Sequence, residues 1–406
     1  MAVRLATAGD TPRMTLPILH QSPTDPAFVQ DPYPFYERLR AAGEIAHWAD
    51  YGMPCAVSHT AVQAILKDRR FGREPVAPPE HPPHTAPFYA VEAHSMLELE
   101  PPRHTRLRGL VLRAFTTRRI AALGPEIETL CDQLIDAFPE GPFDLIPAYC
   151  TRVPVIVICR LLGVPEDMAD RLLGWSNAMV GMYQARRDRA MEVAAATAAT
   201  EFATFLRGYA EARRTDPRDD LITQLIAAEE AGEKLTTDEL VTTCILLLNA
   251  GHEATVHTLG NGVRALLSHG MGAEALTDDR IEATVEEILR WDPPLHMFTR
   301  TAYETVEVAG HRFERGDEVA LLLAAANRDP ATWPDPARFD PTRKPVAATS
   351  FGAGLHFCVG APLARLELRL ALQRLFARCP DLALAEPTRY ADLYHFHGLE
   401  RLTVTR

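Results

Sequence analysis

The chain has no apolar run close to the ~20 residues that a membrane-spanning helix needs; Val319 to Ala326 is among its longest. It has no CxxC spacing, and its seven cysteines are an odd number. Both facts argue against a disulfide framework and for reduced thiols in a cytoplasmic setting. Basic residues never gather into more than a pair or so, and 42 Lys and Arg against 54 Asp and Glu leave a net charge of −12. A field of that sign repels nucleic acid and anionic membrane. The first residues, MAVRLATAGDTPRM, lack the apolar core of a secretory signal, so no targeting is expected. Gly/Ser linkers and repeats of 20 to 50 residues are also missing.

What is present is a 406-residue chain that is 47% hydrophobic and 24% charged, a composition that buries a sizeable core. Apolar residues recur at helical spacing from about 104 to 292, which predicts one large helical body. Strand-like segments sit at the edges: Glu44 to Ser58 after a short helix at Pro34 to Ala42, Thr305 to Leu323 with a turn at Arg315-Gly316, and the last 20 residues or so. The expected class is mainly α with minor β. Its β-rich portions are approximately 1–70, 303–326 and 385–406, and its α-rich portions approximately 95–300 and 358–380. Proline is dense over Glu74 to Phe88 and Asp329 to Pro345, where missing amides predict long loops.

The most informative stretch is SFGAGLHFCVGAPLARLE, Ser350 to Glu367. Cys358 lies among Gly352, Gly354 and Gly360, directly before an amphipathic run. A thiol there faces the positive end of a helix, which favours thiolate, and the glycines let backbone pass close to a large flat group. Such a sulfur suits a soft iron ligand. Six fixed positions (Phe351, Gly352, Gly354, His356, Cys358, Gly360) would coincide by chance on the order of once in ten thousand chains of this length.

FGAGLHFCVG resembles the haem-thiolate signature of the cytochrome P-450 monooxygenases. Further matches follow in that family's order: DPYPFYERLR (31 to 40) resembles its opening helix, EPPRHTRLR (100 to 108) its proximal helix and AGHEAT (250 to 255) its central helix. Glu287 and Arg290 resemble its ExxR pair, and DPARFDP (335 to 341) its meander. The resemblance implies a single cytochrome P-450-like fold over 1–406, with haem b ligated by Cys358, which donates electron density that favours O–O cleavage. His104, Arg108, Arg300 and His356 match the positions that bind the haem propionates; Ala250, Gly251, Phe351, Gly352 and Gly360 complete the implied cofactor contacts. Glu287 and Arg290 become a buried structural pair joined by Arg338.

In Cys244 to Gly260, small residues at Ala250-Gly251 admit a ligand to a helix surface that would normally avoid glycine. His252-Glu253 with His257 is no zincin motif, because the second histidine stands at i+5 instead of i+4. By resemblance Glu253 relays protons toward dioxygen, but the family's usual threonine is replaced by Ala254. Thr255 follows, about 100° further around the helix, so the three residues together carry the catalytic expectation.

No flavin or nicotinamide site is legible, since Phe357 stands where a dinucleotide fingerprint needs its third glycine. Electrons are therefore expected from an iron–sulfur ferredoxin and a flavin-dependent ferredoxin reductase, with Arg106, Arg113, Arg365 and Arg369 as a candidate dock. Family analogy places substrate contacts at Phe88, Met96, Leu97, Met179, Met182, Tyr183, Leu247, Leu295, Met297, Phe298 and Phe396. That mostly apolar set implies a small or medium hydrophobic substrate, oxidised with O2 by hydroxylation or dealkylation. A peroxide-driven peroxygenase and a non-catalytic haem sensor are the alternatives.

Overall fold

The longest helical pattern folds as one uninterrupted helix, Thr237–Ser268. At 1.5 Å per residue its 32 residues span about 48 Å. Its start is fixed by a capping box: the Glu239 amide donates to Thr236 Oγ1 at 3.2 Å, and the Thr236 amide to Glu239 Oε2 at 3.0 Å. Helices Arg152–Leu162, Ala169–Val180, Arg189–Thr215, Ile281–Trp291 and Ala361–Arg378 pack around it. A helix apolar on most of its faces must be sheathed in this way. These coordinates are a computed structural model, describing residues 16–230, 235–344 and 346–406. The first 15 residues and Pro345 of the second proline-rich stretch lie outside them.

Thirteen short strands are described: β1 (Ile18–Leu19), β2 (Ile45–Trp48), β3 (Met53–Ala56), β4 (Phe71–Gly72), β5 (Phe143–Asp144), β6 (Met297–Ala302), β7 (Val306–Val308), β8 (His311–Phe313), β9 (Glu318–Leu322), β10 (Ala383–Leu384), β11 (Arg389–Tyr390), β12 (Leu399–Arg401) and β13 (Thr403–Thr405). The main sheet runs β1-β2-β3-β9-β6-β4, so its neighbours come from both ends of the chain. The others are β10-β13-β5 and the hairpins β11-β12 and β7-β8. β6 pairs antiparallel with β9 from Met297↔Leu322 to Thr301↔Glu318.

Mainly α with a minor, discontinuous sheet is thus the observed class, with three differences in detail. β6 begins inside the stretch expected to be helical, because its six residues carry no helical periodicity of their own. Conversely, Pro26–Gln30 and His59–Lys67 are helices within the region expected to be β-rich, beside the expected helix, which runs Tyr33–Ala42; Asp25 and Ser58 cap the two unexpected ones with side-chain oxygens. The first proline-rich loop also ends early. Ala86–Glu92 is a helix that accepts Pro87 in its opening turn, where no amide partner is required.

Candidate active site

Cys358 precedes the helix Ala361–Arg378 by three residues, in a loop folded by its glycines. Gly352 and Gly354 both have φ of +68°, and a Cβ on Gly354 would stand 2.3 Å from the Leu66 carbonyl oxygen. The Cys358 amide donates to the Phe351 carbonyl at 3.0 Å, closing the loop. Arg365 lies over the Phe351 ring at 4.6 Å. The amides of Gly360 and Ala361 and the cations Arg108 and Arg365 favour thiolate, as the helix position implies. Burial nevertheless outweighs them and holds the thiol above its ordinary value. Helix position alone therefore does not ionise this sulfur; a coordinated metal cation would.

Beside that loop the fold gathers cations. The His104 and His356 rings sit 4.4 Å apart, and Arg108 donates to the Phe357 carbonyl at 2.6 Å. Arg300 is buried, and the one hydrogen bond of its guanidinium among the described residues goes to the Thr299 carbonyl. Burial, then the nearby charge of Arg73, pulls Arg300 down to about 10. Burial, His356 and Arg108 pull His104 down to about 4, and its Nδ1 has no partner among the described residues. All four expected residues thus converge on one region. Two that the sequence reading did not assign join them. Arg73, just after β4, donates to Glu98 at 2.9 Å; Glu100 accepts from His356 Nε2 at 2.9 Å and from the Arg73 amide at 2.8 Å. Glu100 stands in the quoted EPPRH motif and was open to notice; nothing around Arg73 marked it.

The brace behind the loop is bidentate. Arg290 Nε and NH2 donate to Glu287 at 2.7 Å each, and its remaining hydrogens go to the carbonyls of Asn327, Pro336 and Arg338. The expected third member is wrong. Arg338 points outward, 70% exposed, whereas Arg343 brings Nε to 3.4 Å from Glu287. The meander turns between them, so Arg338 contributes only its carbonyl, to Arg290 and Arg343.

On the central helix Ala250 is exposed although the helix is otherwise sheathed, so open space lies against it. Gly251 serves packing instead: a Cβ there would stand 2.9 Å from Ile158 on the helix Arg152–Leu162. Glu253 and Ala254 are half-buried and Thr255 is buried. No bulge interrupts the helix to turn Thr255 inward, and Thr258 Oγ1 donates to the Ala254 carbonyl at 2.7 Å.

A profile described as Cytochrome P450 matches residues 281–381, from the brace through the cysteine loop. "Cytochrome P450 monooxygenase PikC" of Streptomyces venezuelae is 39% identical over 388 residues, covering 91% of this chain and 88% of that protein. "Vitamin D(3) 25-hydroxylase" of Pseudonocardia autotrophica is 39% identical over 390 residues, 93% of this chain and 94% of that one. The chain belongs to the cytochrome P450 family. Its fold agrees with the crystal structure of P450BioI bound to an acyl carrier protein ligated with hexadec-9Z-enoic acid (TM-score 0.88, 34% identity, 93% of this chain and 99% of that one). This P450 is accordingly an oxidoreductase of the haem-thiolate monooxygenase kind.

Haem is the cofactor the family implies, and the residues present suit it. Arg300, buried and in no ion pair among the described residues, and the His104 Nδ1, unpartnered among them, are what two propionates would satisfy. Cys358 supplies a soft donor at the end of the same loop.

The P450's expected substrate contacts divide. Phe88, Met96, Met179, Met182 and Leu247 are buried in the main core, while Leu97, Tyr183, Leu295, Phe298 and Phe396 keep accessible surface. Leu295 and Phe396 are joined by a β-bridge. Met297 belongs elsewhere. Strand alternation turns it into a separate core with Phe28, Phe35 and Trp48, and sends Phe298 toward Gly352 instead. The region is also more polar than expected: Tyr183 O–H donates to Glu92 at 3.0 Å, and His395 lies 5.9 Å from the Tyr183 ring. Burial, aided by Glu98, pushes Glu92 up to about 7. Arg106 is no free docking charge, being paired with Glu239, and Arg365 pairs with Glu286. Among the described residues no helix is long and apolar enough to cross a membrane.

Proposed function

We propose that this P450 inserts one oxygen atom from O2 into a small or medium hydrophobic substrate, by hydroxylation or oxidative dealkylation. Cys358 would ligate the iron of haem b, and His104, Arg108, Arg300 and His356, joined by Arg73, would hold its propionates. Bound there, haem supplies dioxygen activation. The protein's own residues do the rest: Glu253 relays protons to the pocket, Ala250 leaves the surface open, and Leu97, Tyr183, Leu295, Phe298 and Phe396 orient the substrate. Electrons come from an iron–sulfur ferredoxin and its flavin-dependent reductase, in keeping with the lack of a legible flavin or nicotinamide site. The observation that carries this reading is the convergence on the loop that holds Cys358 of buried Arg300, which makes no ion pair among the described residues, and of His104, whose Nδ1 is unpartnered among them. The hydroxylase name of one relative supports an apolar substrate; Glu92 and the Tyr183 hydroxyl add a polar anchor to it.

The test is the absorption spectrum of the reduced, carbon monoxide-bound protein beside Cys358→His. Wild type gives the red-shifted thiolate band and the variant loses it; a wild type without that band refutes the assignment. Ala254 favours a second reading, a peroxygenase driven by peroxide. Product formation coupled to NAD(P)H through ferredoxin and reductase rejects it.

A further inference from the structure

The central helix places Glu253 between two imidazoles. His252 Nε2 is 3.5 Å from Glu253 Oε2, and His257 Nε2 is 3.4 Å from Oε1. The tautomer of His252 is dictated by the backbone: its Nδ1 is 2.6 Å from the Leu248 carbonyl. A carbonyl only accepts, so Nδ1 carries the hydrogen and neutral His252 turns a bare Nε2 lone pair toward the carboxylate. Buried and without another partner, that lone pair would face an anionic oxygen. The contact is attractive only when one proton lies between them, on nitrogen or on oxygen.

His257 is held by shape. A Cβ on Gly398 would stand 1.8 Å from its Nδ1, so the ring lies against bare backbone of the C-terminal loop, with the Phe396 ring 6.2 Å away. Its side chain is 14% accessible. Beyond Gly398 lie His397, Asp292 and His296, with Arg264 3.9 Å from Asp292. These, with His252 and Glu253, are the titratable and charged groups that bear on the ring. Burial acts to raise Glu253, yet the hydrogen bond from His257 and the two imidazole charges hold it below its ordinary value.

We infer that His252, Glu253 and His257 form a three-residue proton store, in which Glu253 is the member that meets the pocket and the histidines position and reload it. The inference rests on the proposed relay role of Glu253 and extends it. A protonated His257 passes its Nε2 proton to Oε1 of the Glu253 carboxylate and becomes neutral, and Glu253 releases that proton to the pocket. One O–H bond is thereby broken and one formed, an N–H bond is lost, and no electrons are exchanged. Nε2, the ring nitrogen that is not sealed against Gly398, then regains a proton from solvent hydronium, which restores the N–H bond. His252, its Nδ1–H held by the Leu248 carbonyl, accepts the O–H when the proton lies on Oε2 and so fixes the carboxylate's rotamer.

The test uses the haem-loaded protein labelled with 15N-histidine, in its diamagnetic ferrous carbon monoxide form, by NMR across pH 5 to 9. His252 keeps the Nδ1–H tautomer, and Glu253→Gln lowers the His257 midpoint by at least one pH unit, a tenfold loss of proton affinity. In parallel, His257→Gln keeps an N–H for Glu253 but carries no proton. It leaves the substrate-induced spin shift intact, flattens the pH profile of product formed per NAD(P)H, and raises the solvent isotope effect at least twofold. An unmoved His257 midpoint, or a His257→Gln profile identical to wild type, overturns the store. If the thiolate band is present and the midpoint does not move, the store alone fails; if the band is absent, the functional reading fails first.

Discussion

Glu367 offers a prediction whose size follows from the structure. It lies in the helix Ala361–Arg378 behind the cysteine loop, 2% exposed, with Oε1 lacking any partner. Burial pushes its carboxyl from the ordinary 4.5 up to about 8. Between those values the native state keeps a proton that the unfolded chain has released, so stability falls as pH rises. Each pH unit is worth about 1.36 kcal/mol, and a gap of roughly 3.5 units corresponds to roughly 5 kcal/mol by pH 8. That is a large share of the 5–15 kcal/mol typical of folded domains. Glu367→Gln keeps the shape and removes the proton, and any hydrogen-bond cost it adds is independent of pH. Urea unfolding of the haem-loaded protein and the variant, followed by tryptophan fluorescence and Soret absorbance together, measures the difference. The variant gains on wild type by several kcal/mol between pH 5 and pH 8, and the infrared band of a protonated carboxyl disappears with the substitution. A stability difference that stays constant within about 0.5 kcal/mol over that range refutes the reasoning.

Three arginines around Glu287 separate by rank in the same unfolding assay. Arg290→Met leaves a buried carboxylate unpaired and costs about 3–5 kcal/mol, Arg343→Met about 1–3 kcal/mol through lost bonds to Glu287 and three carbonyls, and Arg338→Met less than about 0.5 kcal/mol at an exposed site; an Arg338 effect as large as that of Arg343 rejects the corrected brace. Ala254→Thr raises the product formed per NAD(P)H consumed, because a hydroxyl joins Glu253 on the helix; an unchanged or lower ratio means that the site is organised around alanine and the Glu253 histidines.

What the sequence disclosed and what it concealed divide along contact range. The cysteine loop, the Glu287–Arg290 pair and the His104–Arg108 spacing are short-range patterns, where helix and turn geometry convert sequence distance into spatial distance without knowledge of the fold. Arg343 shows where that conversion ends. It and Arg338 stand in the same irregular, proline-rich segment, which has no period to say which guanidinium turns inward. Met297 and Phe298 were both assigned to the pocket because family analogy carries over a segment without its faces; only the pairing of β6 with β9 decides that alternate residues enter different cores. Arg73, Glu92 and His395 were invisible for a further reason. Each comes from a different segment, and their chemistry arises only when Arg73 reaches Glu98, Tyr183 reaches Glu92 and the C-terminal loop brings His395 against Tyr183.

The same division separates reaction from specificity in this P450. Apart from Arg73, the residues proposed to hold haem are set by motifs that any substrate would share. The polar anchor at Glu92 and the placement of His257 against Gly398 depend on contacts 91 and more than 100 residues apart in sequence. Substrate choice and proton supply are therefore free to vary while the cysteine loop and its brace stay fixed. His257 illustrates the cost of that freedom. Its position needs a glycine in a distant loop, so a change at Gly398 would alter proton delivery without touching any residue of the motifs by which the family is recognised.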